Sequence, residues 1–271
     1  MSLSPHQVDS DPHDDDVPIG RVLSRREVLS LLSFAGAATL LAACQPVGEV
    51  PSGGTSAVTA ETAAAASTAS TQVALPACIA RPAMTEGPYF VDLMLNRSDI
   101  RSDPDTGDVK AGAPLLLTFR VSEIGSSACT PLAGALVDVW HCDADGVYSG
   151  VTDRSFDTKG QKWLRGYQVT DENGTAAFTT IYPGWYPGRT IHIHFKVRTA
   201  PDAAQGHEFT SQLFFDDALS DQVLSQPPYS ARGYRTVLNG QDRIYSDQLL
   251  LDVTPAAPGY AATFDLGLDL S

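Results

Sequence analysis

The chain is poor in cations. Eighteen Lys and Arg side chains stand against thirty-two Asp and Glu in 271 residues, a formal charge of −14. No cluster of Lys and Arg interrupts that balance, and an acidic chain repels phosphate backbones, so the composition argues against nucleic acid as a partner. Long hydrophobic runs are also lacking: the apolar stretch from Val28 to Ala43 is too short, and too rich in Ser, Thr, Gly and Ala, for a stable membrane span. Aromatic residues are absent from 45–75, which hold almost nothing large enough to bury. Such a composition cannot offset its ordering entropy and reads as a tether. No internal repeat is visible. Part of the acidity sits in residues 1–20, where Asp9, Asp11, Asp14, Asp15 and Asp16 meet no Lys or Arg, so net charge says little about the rest.

What is present begins with an address. Arg25 and Arg26 sit just before the apolar run, and Leu41-Ala42-Ala43-Cys44 closes it. The first pair resembles a twin-arginine export signal, and the second motif resembles the site at which a bacterial lipoprotein is cleaved and its new N-terminal cysteine lipidated. The expected organisation is a signal peptide over 1–43, a lipidated Cys44 with a flexible tether to 75, and one domain over 76–271. This places the protein outside the cytoplasm, held to a membrane by lipid. With Cys44 assigned to lipid, Cys78, Cys129 and Cys142 remain. Cys78 and Cys129 lie in turn-like segments and are expected to pair, whereas Cys142 continues the apolar run LVDVWHC as a buried thiol.

Beyond residue 110 short apolar or alternating runs recur between Gly, Pro and Asp: 114–121, 135–142, 175–181, 190–197, 210–215 and 247–253. Each has strand length with β-branched or aromatic residues, and only 216–225 has helical spacing. The pattern predicts an all-β, antiparallel sandwich with long loops at 143–163 and 225–243 and little helix.

The sharpest local signal is Thr190-Ile191-His192-Ile193-His194-Phe195-Lys196-Val197. Period two puts Ile191, Ile193, Phe195 and Val197 on one face and both histidines on the other, near enough to share a metal ion. Taken alone, His-x-His is a weak signal and reads first as two partly solvated histidines on the polar face of a half-buried strand. Its neighbours add tyrosines: Ile181-Tyr182-Pro183-Gly184-Trp185-Tyr186-Pro187-Gly188-Arg189 leads into the strand, and Trp140-His141-Cys142-Asp143-Ala144-Asp145-Gly146-Val147-Tyr148 ends another. A phenol must lose its proton to bind a metal, which a hard trivalent cation makes favourable and zinc does not. Two tyrosines with His-x-His point to iron(III).

These residues, with TEGPYF (85–90), PLAGALVDVWHCDADGVYSG (131–150), LRGYQVTDENGTAAFTTIYPGWYPGRTIHIHF (164–195) and TSQLFF (210–215), resemble the intradiol ring-cleavage dioxygenases, over about residues 76–254. The chain looks most like short secreted members, since 45–75 offers no counterpart to the helical N-terminal region of intracellular catechol enzymes. The resemblance implies a non-haem iron(III) cofactor held by Tyr148, Tyr186, His192 and His194, with Tyr182 competing for the place of Tyr186. Iron(III), two tyrosinates and one hydroxide sum to zero charge, which a buried pocket tolerates. It further implies that Tyr186 leaves the metal and acts as a base, that Arg189 stabilises charge on the substrate ring, and that Gln212 hydrogen-bonds Arg189 or a ligand. Gly87 and Pro88 would line the substrate mouth, and His141 and Trp140 would be structural. The implied partners are a catechol-type aromatic and O2, and the implied product a muconate-type diacid. Two other classes stay open: a surface sandwich that binds aromatics without catalysis, and a cupin-like iron(II) oxygenase with two histidines and a carboxylate, Glu208 or Asp216. Oligomeric state is open.

Overall fold

The computed structural model describes residues 78–126, 128–200 and 206–271. The export signal, Cys44 and the tether lie outside the described residues. Among the described residues nine strands form two sheets: β1 Pro114–Ile124, β2 Cys129–Pro131, β3 Leu136–Trp140, β4 Arg165–Val169, β5 Thr175–Ile181, β6 His192–Arg198, β7 Glu208–Phe214, β8 Val253–Ala256 and β9 Gly259–Leu268. The helix α1, Asp217–Leu224, follows β7.

In β1 the alternation expected from sequence holds up to Val121 and breaks at Ser122, which is buried too: Leu115, Leu117, Phe119 and Val121 are wholly buried while Leu116 faces solvent. Each such burial contributes about 1.5–3 kcal/mol relative to exposure. β1 is central in the first sheet. β5 pairs with its residues 114–120 and β2 with 122–124, β9 lies on the other side, and β8 pairs beyond β9. The second sheet runs β4-β3-β6-β7, antiparallel throughout. Phe119 and Phe264 of the first sheet meet Phe195 of the second, with ring centroids 5.1 Å (Phe119–Phe195) and 5.6 Å (Phe195–Phe264) apart, and Phe178 packs edge-on against Phe119. That aromatic layer is the core of the sandwich.

Three sequence expectations are corrected. The sandwich is not antiparallel throughout, because β9 runs parallel to β1 from Leu115↔Tyr260 to Glu123↔Leu268. The run 247–253 is not a strand. Residues Asp247–Leu249 form a 3-10 turn, and Leu249 and Leu251 are buried by packing beside β7, where the Leu251 N–H donates to the Phe214 carbonyl at 2.8 Å. Consecutive leucines carry no period, so burial there needs no ladder. Finally, β6 is buried on both faces. Ile193, Phe195 and Val197 enter the core, while the face carrying His192, His194, Lys196 and Arg198 is covered by residues 84–97. This segment crosses the second sheet from β7 (Met84 N–H to Thr210 O, 2.9 Å) to β4 (Tyr167 N–H to Leu95 O, 2.8 Å). Lys196–Glu86 and Arg198–Asp92 ion pairs pin it to β6, and Phe90 rests on Trp140.

α1 starts at an N-cap: the Asp216 carboxylate accepts from the Leu219 N–H at 2.9 Å, and Val223 and Leu224 join the core. Cys78 and Cys129 are disulfide-bonded and tie the start of the domain to β2, whereas Cys142 is a buried free thiol bonded to the Gly184 carbonyl.

Candidate metal centre and its surroundings

β6 aims both imidazoles the same way, with His192 Nε2 3.1 Å from His194 Nε2. The loop after β3 delivers Tyr148. There the Asp143 carboxylate accepts from the N–H groups of Asp145 and Val147, both at 3.0 Å, and Gly146 takes φ +72° where a side chain would strike the Trp185 carbonyl. Beyond Tyr148, the Arg165 guanidinium donates to the Ser149 carbonyl (Nη2, 2.6 Å), fixing the chain as it leaves the site. Tyr148 Oη lies 3.4 Å from His192 Nε2. Tyr186 arrives on the 182–189 turn, which is latched to the first loop by the Gly184 N–H on the Asp143 carbonyl at 3.0 Å, and its Oη lies 3.1 Å from the same nitrogen. Tyr182 points elsewhere: it is buried in the core, its hydroxyl 2.8 Å from Ser220 Oγ.

Four donor atoms, two nitrogens and two phenol oxygens, thus surround one point. Burial first, then the nearby Arg189 charge, holds both imidazoles well below their ordinary pKa, so both are neutral. Since His192 Nδ1–H donates to the Thr190 carbonyl at 2.7 Å, its Nε2 presents a lone pair. Burial raises both phenols as well, Tyr148 further by its proximity to Tyr186, while Arg189 pulls Tyr186 partly back. Neutral nitrogen and protonated oxygen facing one another in a buried space fit a small, hard, highly charged cation, which takes the lone pairs and displaces the phenol protons. Iron(III) meets that description, and the residues present fit it.

The carboxylate alternative lacks its third ligand. Glu208 pairs with Lys196 at 3.6 Å and Asp216 caps α1, and among the described residues no three His, Cys, Asp or Glu side chains gather as a metal site.

Around the four donors, Arg189 is a buried cation and not a surface pair. Its Nε donates to Asp242 Oδ2 at 2.8 Å and its Nη2 to Gln212 Oε1 at 2.7 Å, with side-chain exposures of 12% for Arg189 and 2% for Asp242. Burial opposes the Arg189 charge, but Tyr186 and Asp242 outweigh it and the pKa is raised. Gln212 Nε2 donates onward to the Thr85 carbonyl at 3.0 Å, joining Arg189 to the segment that carries Gly87 and Pro88. Gly87, at φ +72°, lies flat against His194: a Cβ there would sit 3.1 Å from the ring, whereas Pro88 is exposed at the rim. Trp140, expected in the core, is buried on the site side instead, stacked on His194 at 5.1 Å and 10°. Trp185 lies beneath the Arg232 guanidinium.

Sequence reasoning missed Asp242, which sits in an irregular loop 53 residues from Arg189 with no periodicity to mark it. It also passed over Tyr89, whose ring stacks on Tyr148 at 4.5 Å, although the residue stands in the quoted TEGPYF.

His141 is structural in the strict sense. Its Nδ1 bonds the Cys142 carbonyl (2.8 Å) and its Nε2 the Thr180 hydroxyl (2.6 Å), and burial lowers its pKa to about 4. Unfolded, the same ring titrates near the ordinary 6.5. The unfolded chain therefore binds more protons between those values, and stability is lost as pH falls through that window. Between pH 7 and 4.5 the His141 contribution should be a loss of about 2 kcal/mol. Urea unfolding at the two pH values should show a shallower acid loss for His141→Gln, and equal slopes would remove the assignment.

Comparisons with known proteins bear on the whole constellation. A family model described as Dioxygenase matches residues 85–268, which contain every residue of the site. An intradiol ring-cleavage dioxygenase from Tetranychus urticae superposes with TM-score 0.62 at 31% identity, covering 71% of this chain and 96% of that one. The chain belongs to the intradiol ring-cleavage dioxygenase family. The chain is also similar to the dioxygenase domain of a dioxygenase and carbohydrate-binding fusion from Streptomyces sp. SirexAA-E, with TM-score 0.51 and 31% identity over 71% of this chain and all of that domain. Among curated proteins, a chlorocatechol 1,2-dioxygenase of Pseudomonas putida is 32% identical over 151 residues, 48% of this chain and 52% of the relative. The chain thus spans about half the length of the curated intradiol relatives it matches first.

Proposed function

We propose that this intradiol family member is a non-haem iron(III) enzyme that opens catechol-type rings between the two hydroxyl-bearing carbons. One carbon–carbon bond breaks, and both atoms of O2 enter a muconate-type diacid. The observation that carries the reading is the convergence of Tyr148, Tyr186, His192 and His194 on one buried point, with Arg189 fixed beside it. Bound iron(III) would supply the Lewis acidity that holds the substrate as its catecholate and turns its ring towards O2.

The protein's own residues divide the remaining work. Tyr148 is wholly buried beneath Tyr89, whereas Tyr186 is only partly buried and the next two residues of its turn, Pro187 and Gly188, are exposed. Tyr186 is therefore the tyrosine free to withdraw, and its phenolate oxygen takes a substrate hydroxyl proton as general base. Arg189 has Nε and Nη2 engaged, which leaves Nη1 to meet negative charge developing on the ring and its oxygens. Tyr89, Trp140 and Gly87 exclude water from the Tyr148 and His194 side.

A visible absorption spectrum of the purified iron-containing protein tests this directly. Tyrosinate bound to iron(III) gives a broad mid-visible band, and anaerobic catechol should move it to longer wavelength. A protein that stayed colourless after iron(III) reconstitution would overturn the proposal and favour a binding protein without catalysis.

A further inference from the structure

We infer that Asp242 is the positioning residue of this site, locking the Arg189 guanidinium and the start of the histidine strand into one rigid unit. The inference builds on the function proposed above and rests on geometry of its own. One carboxylate oxygen, Oδ2, accepts both from Arg189 Nε at 2.8 Å and from the Thr190 N–H at 2.9 Å. The other, Oδ1, accepts from the Ile244 N–H at 3.0 Å, which holds the carboxylate plane. The Thr190 carbonyl in turn accepts His192 Nδ1–H at 2.7 Å. A single residue, Thr190, therefore separates the Asp242 oxygen from the bond that orients an imidazole.

The loop that carries Asp242 is itself anchored. Asn239 accepts from the Thr190 hydroxyl through Oδ1 at 2.6 Å and donates through Nδ2 to the Phe215 carbonyl at 2.8 Å, while its backbone N–H meets the Asp217 carboxylate at the start of α1. A carboxylate at 2% exposure is an expensive group to bury without a cation, so Asp242 and Arg189 fix each other. With Gln212 on Nη2, two of the three guanidinium nitrogens are tied to protein. The fork then has one orientation, and only Nη1 is directed by what enters the pocket.

The test compares Asp242→Asn, Asp242→Ala, Arg189→Ala and the Arg189→Ala, Asp242→Asn double variant, each as iron-loaded full chain. Asp242→Asn retains an acceptor for Thr190 and is the milder probe should Asp242→Ala fail to fold. Acting through Arg189, Asp242→Asn should lower kcat about 10- to 100-fold with KM changed less than about threefold, iron content and colour retained. In the Arg189→Ala background the same change should cost less than about twofold. A merely structural role would multiply the two losses, and that result would overturn the inference.

A second readout needs no turnover. In chain labelled with 15N-arginine and prepared without iron, the Arg189 Nε–H, assigned by its absence from Arg189→Ala, should exchange slowly with solvent, and much faster in Asp242→Asn. Fast exchange in the wild type would overturn the inference even if catechol is opened. If the wild type opens no catechol, the functional proposal fails while the exchange measurement still decides the role of Asp242.

Discussion

Arg189→Ala should retain its iron(III) and its colour and open catechol about 10²–10³-fold more slowly, the usual cost of removing one preorganised group that meets transition-state charge. That corresponds to about 3–4 kcal/mol of lost stabilisation. Iron should survive because Arg189 is not among the four converging donors, and turnover should not, because a buried guanidinium with two nitrogens already satisfied needs no reorganisation when charge develops beside it. The variant leaves the Asp242 carboxylate buried without its cation, so some thermal stability should be lost too, and the additional change Asp242→Asn should restore part of it. Metal analysis, the visible spectrum and single-turnover kinetics together check the outcome. An Arg189→Ala protein that turned over within about threefold of wild type would remove Arg189 from the chemistry.

Tyr148→Phe should fold normally and fail to hold iron. The substitution removes one oxygen from a ring stacked on Tyr89 at 4.5 Å and set edge-on to Tyr186 at 5.8 Å, contacts that phenylalanine reproduces. The hydroxyl loses a long 3.4 Å contact with His192 and its hydrogen bond with Tyr186, so the melting temperature of iron-free protein should fall only modestly. Iron affinity should fall by more than the 10- to 100-fold typical of losing an outer partner of a metal site, because a ligand itself is deleted. His194→Ala should lose iron as completely but also destabilise, since Trp140 stacks on that ring and Gly87 lies against it. Normal iron content and full activity in Tyr148→Phe would show the ligand set to be wrong.

Where residue period and burial agree, the fold was legible. β5 spans the expected 175–181, and the alternation in β6 places its histidines together on one face. α1 follows from an Asp N-cap ahead of an amphipathic turn. β9 escaped notice because its first half, Gly-Tyr-Ala-Ala-Thr, holds one large residue, Tyr260, among small ones, and its place is set by pairing with β1 and not by a hydrophobic period. β4 escaped because Arg165, a buried charge, opens it. Within the site, the local motifs carried Tyr148, Tyr186, Arg189, His192 and His194. The long-range closures were not legible: Asp242 reaches Arg189 across 53 residues from an irregular loop, and although Gln212 and Thr85 stand in recognised motifs, nothing in either says that they meet across 127. The cover over β6 is of the same kind, since nothing local in TEGPYF says that Glu86 will find Lys196.

The unpaired cysteine has a chemical consequence. Nucleophilic attack by sulfur requires the thiolate, and burial, reinforced by the Asp143 charge, pushes the Cys142 thiol well above its ordinary range. Folded, Cys142 is therefore inert to exchange and to peroxide, even though it packs against Tyr148. Among the described residues Cys142 is the one thiol that could attack the bridge between Cys78 and Cys129, and it can do so only once the domain has opened far enough to wet it.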